Sequence, residues 1–222
     1  MRQKIHQWVE KLKEALAMPL PQDRAHILAA PKDRIEGLVN RQWPKTAKKS
    51  AVTILLFPED GQLFTLLMKR VEDQGVHSGQ ISFPGGQKEE EDKDLLHTAI
   101  REYGEETGIV LGREDYIGPI SDLYIPASNF LVQAFVAFIP HLPSFDPDFS
   151  EVQELHKIPL LELFDTKSFR DEEVVVRQRK NRTYTIKAPC FMVKELCIWG
   201  ATAMMICELR MIAEENKLIL PQ

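Results

Sequence analysis

The chain has 222 residues, 44% of them hydrophobic, so it is long enough to bury one substantial core. Its formal net charge of −5 argues against nucleic acid as the main partner, because nucleic-acid-binding domains carry a basic surface. No run of about 18 apolar residues occurs and the first residues are polar, so we expect neither a membrane span nor a signal peptide. The three cysteines have no zinc-like spacing, which favours a reduced, cytoplasmic setting: Cys190, Cys197 and Cys207.

The N-terminal part of the chain has the pattern of helices. Residues 2–17 are predicted to form an amphipathic helix that ends before Pro19, because four apolar residues fall on one side: Ile5, Val9, Leu12 and Leu16. A second short helix is predicted over residues 22–29. The polar stretch of residues 41–50 then separates these helices from the next element.

A β-hairpin is predicted next. Residues 51–57 form a near-continuous apolar run typical of a buried strand, and a Pro-Glu-Asp-Gly turn separates them from a second strand at residues 63–68. A final helix over residues 199–216 is expected to be buried at its start. Further strands are predicted in four segments: residues 117–124, 131–139, 151–158 and 182–187.

Between the hairpin and those later strands, a turn leads into a helix. The turn is Pro84-Gly85-Gly86, and paired glycines let a backbone carbonyl approach a ligand closely. An acidic segment follows, and Asp94 is a good N-cap for a helix that ends at Gly108. The sequence therefore predicts a strand, a loop that can fold back, and a helix.

Three glutamates lie at the C-terminal end of that helix: Glu102, Glu105 and Glu106. At about 100° per residue they fall within one arc of the helix surface. The peptide dipoles leave partial negative charge at a helix C-terminus, so acids there are unfavourable by tenths of a kcal/mol each. A bound divalent cation would reverse that sign, whereas a solvated acidic face is the alternative.

These residues resemble the Nudix box, the sequence motif of the Nudix hydrolases. Arg101 to Ile109 match its second half, Arg-Glu-apolar-x-Glu-Glu-x-Gly-apolar, at every fixed position. The spacing from Gly86 to Arg101 is one residue longer than in the usual box, which leaves Asp92 as the substitute for its first glutamate. In the family that glutamate braces the arginine, so the resemblance implies an ion pair between Asp92 and Arg101.

With its one inserted residue, this box resembles that of one Nudix subfamily, the coenzyme A pyrophosphatases. Two further segments share this resemblance: Leu66-Leu67-x-x-Arg70 with Gly79 and Phe83-Pro84-Gly85-Gly86, and Ile198-Trp199-Gly200-Ala201-Thr202-Ala203-Met204. The match is incomplete, because the subfamily pattern has a small residue and a second arginine where this chain has Val71 and Gly75.

The resemblance implies an α/β fold, the Nudix α/β/α sandwich with a mixed β-sheet. We expect residues 46–222 to form the Nudix hydrolase domain. Residues 1–45 are expected to form an N-terminal helical extension that packs on the same domain. The sequence leaves open whether this extension serves a homodimer.

The resemblance also implies a divalent metal site, with Mg²⁺ or Mn²⁺ as the cofactor, because hard cations prefer oxygen ligands. The expected ligands are Glu102, Glu105, Glu106, the Gly86 carbonyl and Glu151, with Glu154 as the alternative to Glu151. The expected catalytic residues are Glu102, Glu105 and Arg101. The identity of the general base stays open, because each glutamate could also hold the metal.

Three residues are predicted to bind substrate: Arg70, His77 and Ser128. A surface ion pair for Arg70, a structural role for His77 and turn chemistry for Ser128 are the alternatives. The basic run at residues 177–182 is predicted to be a solvated loop or hairpin, with contact to an anionic substrate as the alternative.

The subfamily resemblance implies metal-dependent hydrolysis of the diphosphate of coenzyme A or acyl-coenzyme A. The products would be 3′,5′-ADP and 4′-phosphopantetheine or its acyl form. One alternative substrate is another nucleoside diphosphate derivative, such as a dinucleotide or a nucleotide sugar, which Gly75 in place of the arginine favours. The other alternative is a non-catalytic Nudix fold that acts as a ligand-binding regulator, and the complete set of three glutamates disfavours it.

Overall fold

The computed structural model of the protein describes residues 2–40, 43–73, 75–178 and 182–221, without the side chains of residues 178 and 182. Two predicted segments fall partly outside the described residues. These are the polar stretch, at residues 41–42, and the basic run, at residues 179–181.

Three long helices occupy the predicted places. Within the described part of the chain the α-helices are α1 (Arg2–Leu16), α2 (Asp23–His26), α3 (Ile35–Asn40), α4 (Leu95–Thr107), α5 (Leu160–Phe164) and α6 (Gly200–Glu215). The predictions of α1, α4 and α6 are confirmed, and α2 is shorter than the predicted segment 22–29. Asp94 caps α4 through a hydrogen bond from the His97 amide to Oδ1, 2.8 Å long.

The strands form two sheets. In chain order they are β1 (Lys48–Glu59), β2 (Gln62–Arg70), β3 (Ile81–Ser82), β4 (Gly85–Gln87), β5 (Tyr116–Pro119), β6 (Leu123–Ile125), β7 (Phe130–Phe138), β8 (Val152–Pro159), β9 (Phe169–Gln178), β10 (Arg182–Val193) and β11 (Leu196–Trp199). The main sheet has the order β3-β2-β1-β7-β5, with β4 beside β1, β6 beside β7 and β8 beside β2. It is mixed, because β1 and β7 are parallel and the other pairs are antiparallel. Strands β9, β10 and β11 form a smaller antiparallel sheet.

Both faces of the main sheet are covered by helices. On β1, Ile54 and Leu56 join the larger core, to which α1 and α6 contribute, whereas Leu55 and Phe57 pack with Tyr103 of α4. Alternate residues of a strand point to opposite faces, so the continuous apolar run of β1 is explained by burial on both sides. The predicted α/β/α sandwich with a mixed sheet is confirmed.

The N-terminal helices share this core. Apolar residues of α1 belong to the larger cluster, and a buried carboxylate ties the following segment to α6. Glu208 of α6 accepts hydrogen bonds from the Gln22 amide (3.0 Å) and the Ser121 hydroxyl (2.6 Å), and its Oε2 lies 2.8 Å from His26 Nε2. A fully buried carboxylate needs such partners, so this network fixes the N-terminal segment against the sheet.

The cysteines differ from the expectation. Cys190 of β10 and Cys197 of β11 form a disulfide in the structure, so the prediction of three reduced cysteines is wrong for this pair. Cys207 is buried and free, and burial raises the pKa of its thiol to about 12, which leaves it unreactive. No helix within the described ranges is both long and apolar enough to cross a membrane.

Two glycines of the α4 region give a matched pair of substitutions with opposite expected signs. Gly104→Ala should stabilise the protein by about 0.5–1 kcal/mol, because Gly104 is in the helix interior and alanine loses less backbone entropy there. Outside its own helix, the new Cβ would meet only the Ile109 carbonyl oxygen, at 3.8 Å. Gly108→Ala should destabilise it by at least about 1–2 kcal/mol, because the left-handed conformation penalises a side chain.

Gly108 has a φ of 73°, and its new Cβ would lie 2.6 Å from the Asp146 carbonyl oxygen. The measurement is urea denaturation of both variants in the presence of a chelator. A Gly108→Ala variant as stable as the wild type would contradict this account of the helix end.

Candidate active site

The C-terminal end of α4 faces a cavity of about 890 Å³. Glu102 and Glu106 line it from α4, Gly85 and Gly86 line it from β4, and Glu151 lines it from the residue before β8. The structure therefore brings most of the predicted metal ligands to one wall of the cavity.

The loop between β7 and β8 places Glu151 there. Its amides satisfy the last carbonyls of α4, because Asp146 N donates to Thr107 O at 3.0 Å and Asp148 N donates to Glu106 O at 3.3 Å. These carbonyls have no partner within the helix, so the loop acts as their cap. The chain then turns into β8 beside the helix end, with Glu151 facing the cavity.

Glu106 is the most buried carboxylate of the cavity wall. Its Oε2 accepts a hydrogen bond of 2.6 Å from the Gly85 amide, and Arg70 Nη1 lies 3.6 Å from its Oε1. The pKa of Glu106 is raised to about 8, chiefly by burial and also by Glu102 and Glu151, whereas the Gly85 amide and Arg70 act in the opposite direction. The surroundings therefore disfavour the charged form of Glu106 as long as no cation is present.

Glu102 lies directly against the glycine turn. A Cβ on Gly86 would stand 2.3 Å from Glu102 Oε2, so only glycine allows this close approach. The Gly86 carbonyl accepts a hydrogen bond of 2.7 Å from the Ser50 hydroxyl. Burial raises the pKa of Glu102, whereas Arg101 lowers it.

Arg101 connects the acids of α4 to the loop before the helix. Its Nε and Nη2 donate to Asp92 at 3.1 and 3.0 Å, which confirms the predicted ion pair. Its Nη1 lies 2.9 Å from both Glu102 Oε1 and Glu105 Oε2. The hydrogen bonds from Arg101 hold the pKa of Asp92 far below its usual range, and Asp92 raises the pKa of Arg101.

No group of three or more His, Cys, Asp or Glu side chains within the described ranges is already arranged to hold a metal ion. The chemistry of the cavity wall nevertheless fits a hard divalent cation. Its donors are oxygen atoms: the carboxylates of Glu102, Glu106 and Glu151 and the Gly86 carbonyl. Burial disfavours negative charge on Glu102 and Glu106, and a cation would compensate that charge.

Two predicted or alternative ligands lie elsewhere. Glu105 does not belong to the cavity lining. Its side chain is 59% exposed and pairs with Arg101. Glu154 has a side chain that is 63% exposed and lies 3.6 Å from His156 Nδ1. Of the two candidates outside the box, Glu151 is therefore the one that the structure brings to the cavity.

The three predicted substrate-binding residues all line the same cavity: Arg70, His77 and Ser128. His77 Nδ1 lies 3.0 Å from Gln80 Oε1, and burial lowers the pKa of its imidazole. The Ser128 hydroxyl is buried and has no hydrogen-bond partner among the described residues. It is therefore available to a ligand in the cavity.

The prediction missed several residues of the lining. Arg34 and Arg177 add positive charge, and Tyr184 adds an aromatic surface. Trp199 also lines the cavity; its place at the start of an apolar helix favours a core position, and stacking on an adenine is the alternative. Arg177 lies in the basic run that the sequence shows, so its contact with an anion was the open alternative. Arg34 is an isolated arginine in a polar segment, and no pattern marks it.

Comparison with known proteins gives consistent results. The NUDIX domain family matches residues 47–179. The uncharacterized Nudix hydrolase NudL of Pectobacterium atrosepticum is 31% identical over 144 residues, which cover 65% of this chain and 72% of the relative. The mitochondrial coenzyme A diphosphatase NUDT8 of Mus musculus is 29% identical over 182 residues, covering 79% and 84%. The crystal structure of a MutT/nudix family protein from Enterococcus faecalis has a TM-score of 0.52 and 15% identity, over 83% of this chain and 70% of that chain.

The sandwich, the glycine turn and the acidic end of α4 define a hydrolase of diphosphate bonds. The NUDIX match covers more than half of the chain, so this protein belongs to the Nudix family. It is a pyrophosphohydrolase, as the sequence predicted. Nudix hydrolases generally use divalent metal ions, which agrees with the oxygen donors of the cavity wall.

Proposed function

We propose that this Nudix hydrolase cleaves the diphosphate bond of coenzyme A or of an acyl derivative, with Mg²⁺ or Mn²⁺ as cofactor. The products are 3′,5′-ADP and 4′-phosphopantetheine or its acyl form. The observation that carries the proposal is the cavity of about 890 Å³, which joins the acidic end of α4 to basic and apolar surfaces. Such a cavity suits a large ligand with both charged and apolar parts.

The charge distribution of the cavity supports a diphosphate next to α4. Arg70 lies 3.6 Å from Glu106, so a fixed cation stands beside the proposed metal ligands. His77 and the unpartnered Ser128 hydroxyl line the same space and supply hydrogen-bonding groups. The 29% identity with a coenzyme A diphosphatase over most of both chains supports the substrate class.

Hydrolysis requires that water attack one phosphorus while the bridging oxygen leaves with the other phosphate and takes a proton. When bound, the divalent cation supplies positive charge for the phosphate oxygens and lowers the pKa of water. Glu102, Glu106, Glu151 and the Gly86 carbonyl would hold it. Glu105, which pairs with Arg101 in the structure, is a further proposed ligand.

The residues of the chain then have distinct proposed roles. Glu102 and Glu105 are the proposed catalytic carboxylates: Glu102 faces the cavity, where it can accept the proton of the attacking water, whereas Glu105 acts through its pairing with Arg101. Arg101 positions both of them, because its Nη1 lies 2.9 Å from each, and Asp92 fixes Arg101 in turn. Arg70 binds the phosphates through its guanidinium group, which lies beside the acids.

The test is product analysis with coenzyme A. We expect release of 3′,5′-ADP in the presence of Mg²⁺ or Mn²⁺ and no release with a chelator. Comparable turnover of many unrelated dinucleotides or nucleotide sugars would refute the coenzyme A assignment and favour the alternative substrate class. Hydrolysis that continues unchanged in the chelator would refute the proposed metal site.

A further inference from the structure

Besides Arg70, which lies next to Glu106, the cavity lining has a second basic region, formed by Arg34 and Arg177. Both arginines act on the same loop, residues 75–80. Arg177 Nη1 donates to the Ser78 hydroxyl at 3.0 Å and also to the Asp73 carbonyl. The positive charge of Arg34 contributes to the lowered pKa of His77. Two segments far apart in sequence therefore bring their guanidinium groups to one part of the cavity.

Arg34 is a partly buried cation without an acidic partner among the described residues. Its Nη2 donates to the Tyr124 carbonyl at 2.7 Å, and no described carboxylate lies within salt-bridge distance of it. Burial lowers the pKa of Arg34, and the adjacent Asp33 partly offsets this effect. A guanidinium that has lost much of its water and faces a cavity is stabilised by an anionic ligand.

Within the described part of the chain, Arg177 is also held by neutral groups alone. The hydrogen bonds that the structure gives it come from Nη1 and go to a carbonyl and a hydroxyl, so its other N–H groups have no partner among the described residues. These contacts fix the side chain in place without neutralising its charge. Planar guanidinium groups that are fixed in this way bind phosphate through paired hydrogen bonds.

We propose that Arg34 and Arg177 bind a phosphomonoester that the substrate carries apart from its diphosphate. This inference rests on the proposed function, because it takes the diphosphate to lie at Glu102 and Glu106. The smaller sheet forms the wall beside the two arginines, where Tyr184 and Ile186 supply an apolar surface for the rest of the nucleotide. In coenzyme A, the phosphomonoester with this relation to the diphosphate is the 3′-phosphate of the ADP part.

The first test measures binding without hydrolysis. Adenosine 3′,5′-bisphosphate and AMP differ only in the 3′-phosphate, and both can be titrated by calorimetry. The wild type should bind the bisphosphate more tightly by roughly 10- to 100-fold, the size expected for charge-assisted hydrogen bonds. Arg34→Gln and Arg177→Gln should each remove most of this preference while leaving the affinity for AMP within about twofold.

The matched control is Arg170→Gln, because Arg170 lies on the same strand as Arg177 and its side chain is 61% exposed outside the cavity lining. It should keep the full preference. Arg34→Lys and Arg177→Lys, which keep the charge, should recover part of it. Equal affinity of the wild type for the two ligands would refute the inference, and so would variants that weaken both ligands equally. If Arg34→Gln does not fold, Arg177→Gln alone decides the outcome.

The second test separates this inference from the proposed function. It compares kcat/KM for coenzyme A and 3′-dephospho-coenzyme A, with the preference for coenzyme A expected to fall in Arg177→Gln through a higher KM. Selective binding of the bisphosphate without hydrolysis of coenzyme A would refute the proposed function and uphold the phosphomonoester site. Hydrolysis of both compounds with equal kcat/KM would uphold the function and refute the site.

Discussion

Glu106→Gln should abolish nearly all hydrolysis and yet make the metal-free protein more stable. The activity should fall by roughly 10²- to 10⁴-fold, because the proposed metal loses an anionic ligand beside the reacting phosphate. The stability should rise because the wild-type carboxylate is buried and lies near Glu102 and Glu151, which repel its charge. Activity and stability therefore change in opposite directions at one residue.

The pH dependence gives the sign of the stability effect. The pKa of Glu106 is about 8 in the folded protein, above the value of about 4.3 for an unfolded chain. A raised pKa means that this group favours folding at low pH, and that the contribution is lost as the pH rises through about 8. Glutamine carries no charge, so the variant should lack this decline in the free energy of unfolding.

The measurement is urea denaturation with a chelator at pH 6 and pH 9, together with kinetics at saturating metal. At pH 9 the variant should be more stable than the wild type by an amount on the order of 1 kcal/mol or more. Glu114→Gln is the control, because Glu114 is exposed and lies outside the cavity lining, and it should change neither quantity. A Glu106→Gln protein with wild-type activity would remove Glu106 from the active site.

The predictable part of the site is local in sequence. Arg101, Glu102 and Glu106 share one helix whose start and end residues are visible in the sequence, so their relative positions follow from helix geometry. The glycine turn precedes that helix in the chain, and a short loop is enough to bring the turn into contact with Glu102. The choice between Glu151 and Glu154 was harder, because β8 pairs with β2 through a register shift next to Arg70.

The strands that the sequence did not predict correctly depend on tertiary contacts. Strand β9 contains a run of charged residues at 170–173, and Val174 after it belongs to a buried cluster, so the strand lacks an alternating pattern. Its stability comes from pairing with β10. The predicted strand at 117–124 is two strands, β5 and β6, because Ser121 between them turns inward to bind Glu208.

The second basic region bears on the substrate argument that rests on Gly75. The subfamily resemblance places an arginine at that position, and its absence favoured a different substrate. Arg177 comes from another strand, but it contacts Asp73 and Ser78, which stand on either side of Gly75 in the chain. A cation therefore reaches this loop without a local arginine, and the loss at Gly75 is no longer an argument against a substrate with several phosphates.

Asp92→Asn should lower the free energy of unfolding by about 3–5 kcal/mol, the usual cost of removing one partner of a buried ion pair. The Asp92 side chain is 1% exposed and accepts hydrogen bonds from Arg101, from the Thr98 hydroxyl at 2.9 Å and from the Glu89 amide at 2.9 Å. An asparagine would place an N–H₂ group opposite one of these donors. The N–H₂ group and the donor that it faces would then both lack an acceptor. Activity should fall too, because Arg101 would no longer be fixed beside Glu102.

Asp94→Asn makes a strict control for this substitution. Asp94 lies two residues further along the chain, its side chain is 48% exposed, and it caps α4 through the His97 amide. Asparagine caps a helix about as well as aspartate, so the loss should be below about 1 kcal/mol.

The stability loss in Asp92→Asn should also depend on pH. Hydrogen bonds from Arg101 lower the pKa of Asp92 in the folded protein, so its contribution is complete above the unfolded pKa of about 4 and is lost as the pH falls below it. The stability gap between the wild type and Asp92→Asn should therefore narrow on acidification, as urea denaturation at pH 7 and pH 3 would measure. A gap that stays constant over this range would mean that Asp92 acts through its shape and not through its charge, and that Arg101 is held by other contacts.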